Sequence, residues 1–408
     1  MNMKTKITLV GARLSLNFGG PSLLAATKTV LDAYFDNAEY TLIIPYKTIA
    51  LDQQLAPQYG VSVLPFRPKI WTIPMVIVKR WLRLLAGPAD QKAIIRNLAA
   101  ADVVIDIWGI MHADSLHNTF MFRLLVGLHL WMAKFLGKPV IKYTTALGPF
   151  EQKWNRLFAR FYLGRNTDLV LVRDNTSFAS LEKLQLGTPA FVIPDTAFLL
   201  PAQDSAISAE IAQTSRNKPV VCLSVSYQAR NREKSAGAYT ASMAHLIRHI
   251  TTDYQAQVVL LPNELSSSPD DDIKVGRHIL EQLGETDCRL IDTEKLTAAE
   301  IKGIIRECSL VVAARYHTIV AALSLGIPTL AIAWHHKYRE VLGLFAQEEW
   351  LCNIDELSDT DLTARFDALW QQQEKSRVKI AHYLPQVKES IMQGGQLVQE
   401  LLNKSARR

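Results

Sequence analysis

The sequence predicts an α/β protein of two doubly wound parallel-sheet domains with a helical C-terminal tail, and three observations lead there. The chain has 408 residues, enough for two domains of about 100 to 200 residues each. Hydrophobic residues make up 49% and charged residues 21%, the balance of an ordinary globular protein with material for two cores. Short runs rich in Val, Ile and Leu alternate with longer helical stretches, in a rhythm that stops once and restarts.

Runs at 7–11, 40–45, 61–65, 102–108, 140–146 and 169–173 read as strands buried on both faces and joined by crossover helices, the first of these helices over 22–34. The polar stretch 201–218, poor in large apolar residues, reads as a linker. The rhythm resumes at 220–226, 257–262, 288–292, 310–314 and 328–334. Residues 355–404 read as helical, with Pro385 and Gly394-Gly395 as expected breaks. The expected division is an N-terminal Rossmann-like domain over 1–200, a linker over 201–218, a C-terminal Rossmann-like domain over 219–350 and a helical tail over 351–408. Two such halves facing a cleft, the glycosyltransferase-B-like arrangement, put a ligand at the C-terminal ends of the strands.

Composition narrows the function classes. A net charge of +6 favours an anionic ligand or a membrane surface and falls short of a nucleic-acid-binding signature. Cys222, Cys288, Cys308 and Cys352 are isolated, as expected of reduced thiols, so neither a disulfide framework nor a zinc site is expected. No export signal precedes the strand at residue 7, and a cytoplasmic protein is expected. The apolar stretches 70–85 and 120–136 are broken by Lys79, Arg80 and Arg83, and by Arg123, His129 and Lys134, before reaching the ~20 residues of a membrane span.

The loops after strands carry the chemistry. Residues 11–20 follow the first strand but lack the Gly-x-Gly-x-x-Gly dinucleotide fingerprint, which disfavours a nicotinamide enzyme. Gly19-Gly20 before a helix either opens its amides to an anion or a sugar hydroxyl, or makes a plain turn. The most informative stretch is 310–328, where a buried strand ends in Arg315-Tyr316-His317, a helix follows at once, and Gly326 stops it before the next strand. That next strand ends in Trp334-His335-His336-Lys337, so Lys337 emerges at the same edge. If the two strands are neighbours, ~4.8 Å apart, Arg315, His317 and Lys337 converge beside a helix N-terminus. The alternative is that each is a hydrogen-bonded structural residue.

These motifs resemble those of the polysaccharide pyruvyl transferase family: Arg315-x-His317, then Leu325-Gly326-Ile327-Pro328, then Lys337 twenty residues after the His. Further matches are Gly11 with Asn17-x-Gly19, Ala146-Leu147-Gly148-Pro149-Phe150, Val172-Arg173-Asp174 with Ser177 and Leu181, Pro194-Asp195 with Ala197-Phe198, and Pro262-Asn263 with Asp270, Asp271 and Asp272. Two positions depart from the pattern. Gly20 stands where the family often carries Asp, and Gly109, in the loop from Trp108 to Asp114, stands for a Gly-Gly pair.

The resemblance implies transfer of an enolpyruvyl unit from phosphoenolpyruvate to two hydroxyls of a sugar, leaving a pyruvate ketal and phosphate. It puts the acceptor against the N-terminal domain, with Asn17, Gly19 and Asp114 facing it, and the donor against the C-terminal one. Arg315, Arg173 and Lys337 suit the donor's carboxylate and phosphate, and His317 suits the acid that protonates the methylene carbon. Arg230 is either a further phosphate contact or an exposed, solvated Arg. No metal and no redox cofactor is expected. His335-His336 reads as a loop feature, and the three Asp as helix capping. Residues 67–85, with Lys69, Lys79, Arg80, Arg83, Trp71 and Trp81, read either as an interfacial helix meeting anionic lipid, which would favour a lipid-linked acceptor, or as a helix packed on its own domain. Two other functions stay open: a nucleotide-sugar glycosyltransferase of the same architecture, and a catalytically silent binding protein in polysaccharide assembly.

Overall fold

The computed structural model describes residues 4–45, 48–66, 76–77, 89–112, 114, 127–233, 235, 237–265 and 271–406. The bases and tryptophans singled out in 67–85 lie outside the described residues, as does Asp270. The chain forms two units: Met1–Ser15, Leu23–Thr196 and Glu389–Arg408 make the first, and Leu16–Ser22 with Ala197–Lys388 the second.

The first unit is built on strands β1 (Lys6–Val10), β2 (Glu39–Pro45), β3 (Ser62–Phe66), β4 (Val103–Asp106), β5 (Ile110–Met111), β6 (Val140–Leu147), β7 (Leu169–Val172) and β8 (Ala190–Val192). They run in the order β3-β2-β1-β4-β6-β7-β8, with β5 beside β6 and every pairing parallel. Successive strand residues feed opposite cores. Ile7, Leu9, Leu42, Ile44, Val103 and Ile105 pack with Leu24, Leu31 and Val398, whereas Val10, Ile43, Val104 and Val140 pack with Ile94, Leu98, Leu130 and Met132. Covered on both faces, the central strands are apolar at most positions, with Asp106 of β4 and Lys142, Thr144 and Thr145 of β6 as buried exceptions.

The second unit repeats the plan with β9 (Val220–Ser224), β10 (Gln257–Leu260), β11 (Cys288–Leu290), β12 (Leu310–Ala313), β13 (Thr329–Ala333) and β14 (Leu351–Asn353). Their order is β11-β10-β9-β12-β13-β14, again parallel. The order reverses between β9 and β12, which lie side by side from Leu310 opposite Val221 to Ala313 opposite Ser224. That reversal point is where doubly wound sheets open a crevice for ligands at the carboxyl ends of their strands.

Several boundaries differ from the sequence expectation. Stretch 201–218 holds the helix Ala206–Ser215, started by a reciprocal capping box between Ser205 and Ser208, and belongs to the second unit. Its apolar content is low because the helix buries only Ser208 and Ile211. Within 351–408, Leu351–Asn353 is the edge strand beside β13, and the last twenty residues belong to the first unit. The helix Gln373–Ala406 runs unbroken through Pro385, Gly394 and Gly395. The two glycines serve close packing: a Cβ on Gly394 would lie 2.8 Å from the Tyr143 hydroxyl, and one on Gly395 2.5 Å from the Tyr34 ring. The first helix begins at Gly19, three residues early, because the Asn17 side chain accepts the Gly20 N–H at 2.9 Å.

Candidate active site

The loop after β12 is fixed by its neighbours in the second unit. Ala314 N–H donates to the Ser224 carbonyl at 2.9 Å, extending the β9–β12 pairing by one residue. Arg315, extended at φ −115°, then forms the N-cap of the helix Tyr316–Ser324. Gly326, at φ +77°, ends that helix in the left-handed conformation that glycine adopts without strain. Arg315 and His317 therefore stand at a strand end and a helix N-terminus, as the sequence indicates.

Arg315 is buried, and both of its terminal nitrogens are held by carboxylates. Nη1 donates to Glu264 at 2.7 Å and Nη2 donates to Asp272, while the guanidinium lies 5.1 Å from the Tyr227 ring centre. Burial opposes the guanidinium's charge, but Asp272 and then Glu264 outweigh it, and the pKa rises above its ordinary value. The Asp272 carboxylate is completely buried and joins three strand-end loops. Oδ1 accepts Tyr227 N–H at 3.0 Å, beyond β9, and Oδ2 accepts Asn263 and Glu264 N–H at 3.1 and 2.9 Å, beyond β10. Arg315 supplies the link to β12. Capping, expected of both described aspartates here, belongs to Asp271, whose side chain accepts Lys274 N–H at 2.8 Å.

Lys337 is buried among aromatic rings, its Nζ 4.6 Å from the Trp334 ring, 5.3 Å from Tyr316 and 5.4 Å from Tyr338. The cage is tied to the Arg315 loop, because Tyr338 Oη and Trp334 Nε1 both donate to the Ala314 carbonyl, at 2.8 and 3.2 Å. Cation–π attraction to these rings favours the ammonium at this position. Arg230 ends the short helix Tyr227–Arg230 and makes no side-chain hydrogen bond or ion pair among the described residues. Its neighbour Arg232 is the cation brought to the cage, 4.4 Å from the Trp334 ring.

Asn17 and Gly19 come to this same loop cluster. Leu265 N–H donates to the Leu16 carbonyl at 2.8 Å, Asn17 bridges to Glu264, and Gly19 lies against the His317 imidazole. Segment 16–22, expected on the N-terminal domain, is thus part of the second unit. Behind His317, a cavity is lined by Phe18, Leu200, Asn263, Lys302 and Thr318. Lys302 is buried there, donating to the Leu200 carbonyl at 2.5 Å and more weakly to that of Phe198, and desolvation followed by repulsion from Lys388 lowers its pKa to about 7. The His335 and His336 rings lie 4.1 Å apart between centres, tilted by 38°, and among the described residues no group of three or more His, Cys, Asp or Glu has a metal-site arrangement.

Arg173 and Asp114 lie in the first unit and are occupied within it. Arg173 is buried and donates to Asp195 at 3.0 Å. Asp114 accepts from Glu151 N–H at 2.6 Å, Gln152 N–H at 3.2 Å and the Asn155 amide at 2.7 Å, anchoring the start of the helix Lys153–Ala159. The loop holding Gly109 rests on a buried cluster that sequence reasoning missed. Lys142 and His129 donate to Asp106 at 2.8 and 2.9 Å, Trp108 N–H does so at 2.9 Å, and Thr145 Oγ1 donates to the Trp108 carbonyl at 2.7 Å. Desolvation would raise the Asp106 pKa, yet Lys142 and His129 hold it well below the carboxylate range.

Residues 17–336 match the family model for polysaccharide pyruvyl transferases, more than three-quarters of the chain. The chain belongs to the polysaccharide pyruvyl transferase family. The match begins at Asn17 and ends at His336, so it takes in Arg315 and His317 and stops one residue short of Lys337. The chain is also similar to the amylovoran biosynthesis protein AmsJ of Erwinia amylovora, 23% identical over 318 residues that make up 74% of this chain and 73% of AmsJ. Two solved structures share its fold. The UDP-GlcNAc 2-epimerase of Neisseria meningitidis bound to UDP-GlcNAc superposes with a TM-score of 0.60 at 14% identity, over 98% of this chain and 100% of that one. The UDP-GlcNAc 2-epimerase of Methanocaldococcus jannaschii does so with a TM-score of 0.57 at 13% identity, over 98% and 99%. The expected fold class, two Rossmann-like units of the glycosyltransferase-B-like kind with a helical C-terminus, holds.

Proposed function

We propose that this pyruvyl transferase moves the enolpyruvyl unit of phosphoenolpyruvate onto two hydroxyls of one sugar, in a polysaccharide or its lipid-linked precursor, to give a cyclic pyruvate ketal and inorganic phosphate. One observation supports this reading above the others: His317, Arg315 and Lys337 share a loop cluster at the switch point of the second sheet, with the Lys337 side chain set among aromatic rings.

His317 donates a proton to the methylene carbon, the first sugar hydroxyl bonds to the adjacent carbon, and the proton that this hydroxyl loses passes to His317 and restores the acid. The C–O bond to phosphate then breaks, its electron pair leaving with the phosphate. The second hydroxyl closes the ketal, and its proton departs on the phosphate. Lys337 and Arg232 balance the charge that develops on the leaving group. Arg315 Nη1 exchanges Glu264 for the donor's carboxylate, while Asp272 retains Nη2. The chemistry calls for no metal and no redox cofactor, and we place it in the cytoplasm, where phosphoenolpyruvate is made.

Thermal-shift and calorimetric titration test the donor. Phosphoenolpyruvate is expected to raise the melting temperature, because a ligand at 100 times its Kd stabilises a folded protein by about 2.7 kcal/mol. A UDP- or CMP-sugar that stabilises the protein while phosphoenolpyruvate does not would return it to the nucleotide-sugar transferases. An absence of response to either, with the fold intact, would favour a silent binding protein.

A further inference from the structure

We propose that the outer face of the helix Lys153–Ala159, continued by the π-helical turns Arg160–Arg165, docks this protein onto an anionic lipid bilayer. This surface goes beyond the transfer chemistry and does not depend on it. Asn155, Phe158, Ala159, Tyr162 and Leu163 are buried in the first unit, which fixes the orientation of the segment. The opposite face holds Trp154, 59% exposed, and Leu157, 53% exposed, three residues apart on the same side, with Phe161 half-buried one turn on. Lys153, Arg156, Arg160 and Arg165 are exposed around them.

Three features favour lipid over a protein partner. Residues 152–167 contain no Asp or Glu, and none of the four bases makes an ion pair among the described residues. Among the described residues, Arg156 donates to the backbone carbonyls of Phe150 and Glu151, at 3.0 and 3.2 Å, and pairs with no carboxylate. A Trp and a Leu flanked by long basic side chains match the depth profile of an interface, with apolar groups at headgroup level and cations reaching the lipid phosphates. The anchored inner face keeps the helix formed before it meets lipid, so docking costs little ordering.

Sedimentation of the full chain with phosphatidylcholine vesicles, with and without phosphatidylglycerol, tests the surface. Binding is expected only with phosphatidylglycerol and is expected to fall as salt rises. The Trp154→Ser/Leu157→Ser double variant should weaken partitioning by at least about tenfold, since it removes two side chains of apolar area. The Arg156→Gln/Arg160→Gln variant should flatten the salt dependence. Both pairs are exposed, so thermal melts should match the wild type and exclude misfolding as the cause. No binding at low salt, or binding unchanged in both variants, overturns the proposal. So does binding lost only when Lys69, Lys79, Arg80 and Arg83 are replaced by Gln, and so does a wild-type dimer in lipid-free buffer that Trp154→Ser dissociates.

Discussion

Gly19 lies against the imidazole of His317: a methyl group on Gly19 would come within 2.5 Å of His317 Nδ1. Gly19 does not have a positive φ, so its backbone alone does not call for glycine and the close approach does. Gly19→Ala is therefore expected to displace the ring and lower kcat, on the order of 10²-fold if the acid moves by about 1 Å. His317→Ala should abolish turnover while leaving phosphoenolpyruvate affinity nearly intact, because an acid acts mainly in the transition state. Steady-state kinetics with calorimetry separates the two quantities. Near-normal turnover in both variants would move the chemistry away from His317.

Asp272 serves four donors at once: Tyr227, Asn263 and Glu264 N–H groups and the Arg315 guanidinium. An Asn in its place must turn its NH₂ toward donors already present on either side. Asp272→Asn is expected to cost roughly 2 to 4 kcal/mol of stability, and Asp272→Ala roughly 3 to 5, because Arg315 then loses its buried partner. Urea unfolding measures both. A loss below about 0.5 kcal/mol would mean that the carboxylate is not the tie between the loops.

The sequence made the ends of strands legible and left their interconnections obscure. Strands β4, β9, β12 and β13 are covered on both faces, so largely apolar runs announce them, and the Arg315–His317 loop follows from where β12 must stop. Short edge strands such as Ala190–Val192 and Leu351–Asn353 carry no such run and passed unread. The Asp272 hub was hidden because Asp271 and Asp272 are indistinguishable as a pair of helix-start acids, and only the fold turns one outward to Lys274 N–H and the other inward. Gly394-Gly395 signalled a helix break, when the physical need was room for Tyr143 and Tyr34. The pairing of Arg173 with Asp195 and of Asp114 with helix-start amides is a tertiary fact that no local pattern contains.

Turnover should survive exhaustive chelation. In the proposed mechanism Lys337 and Arg232 would supply the positive charge that a divalent ion would otherwise bring to a departing phosphate. Adding EDTA to a working assay checks this, and loss of activity restored by Mg²⁺ or Mn²⁺ would point to a metal-assisted transferase.

Lys302 should make stability rise with pH. Lys302 is 3% exposed and among the described residues its Nζ hydrogen-bonds to the carbonyls of Leu200 and Phe198 alone, so burial, reinforced by Lys388, lowers its pKa to about 7. In the unfolded chain a lysine titrates near 10.4, so between about pH 7 and pH 10 the unfolded state holds the extra proton. Stability then increases across that window, by up to about 1.4 kcal/mol per pH unit, and the full cost of burying the charge falls below about pH 7. Lys302→Met removes the titration while keeping much of the side chain's volume. Denaturant unfolding of both proteins at about pH 6 and about pH 9 isolates the effect: wild type should gain on the variant as pH rises. A difference that stays flat across the window would mean that Lys302 binds its proton as it does in the unfolded chain, with another group supplying the compensating charge.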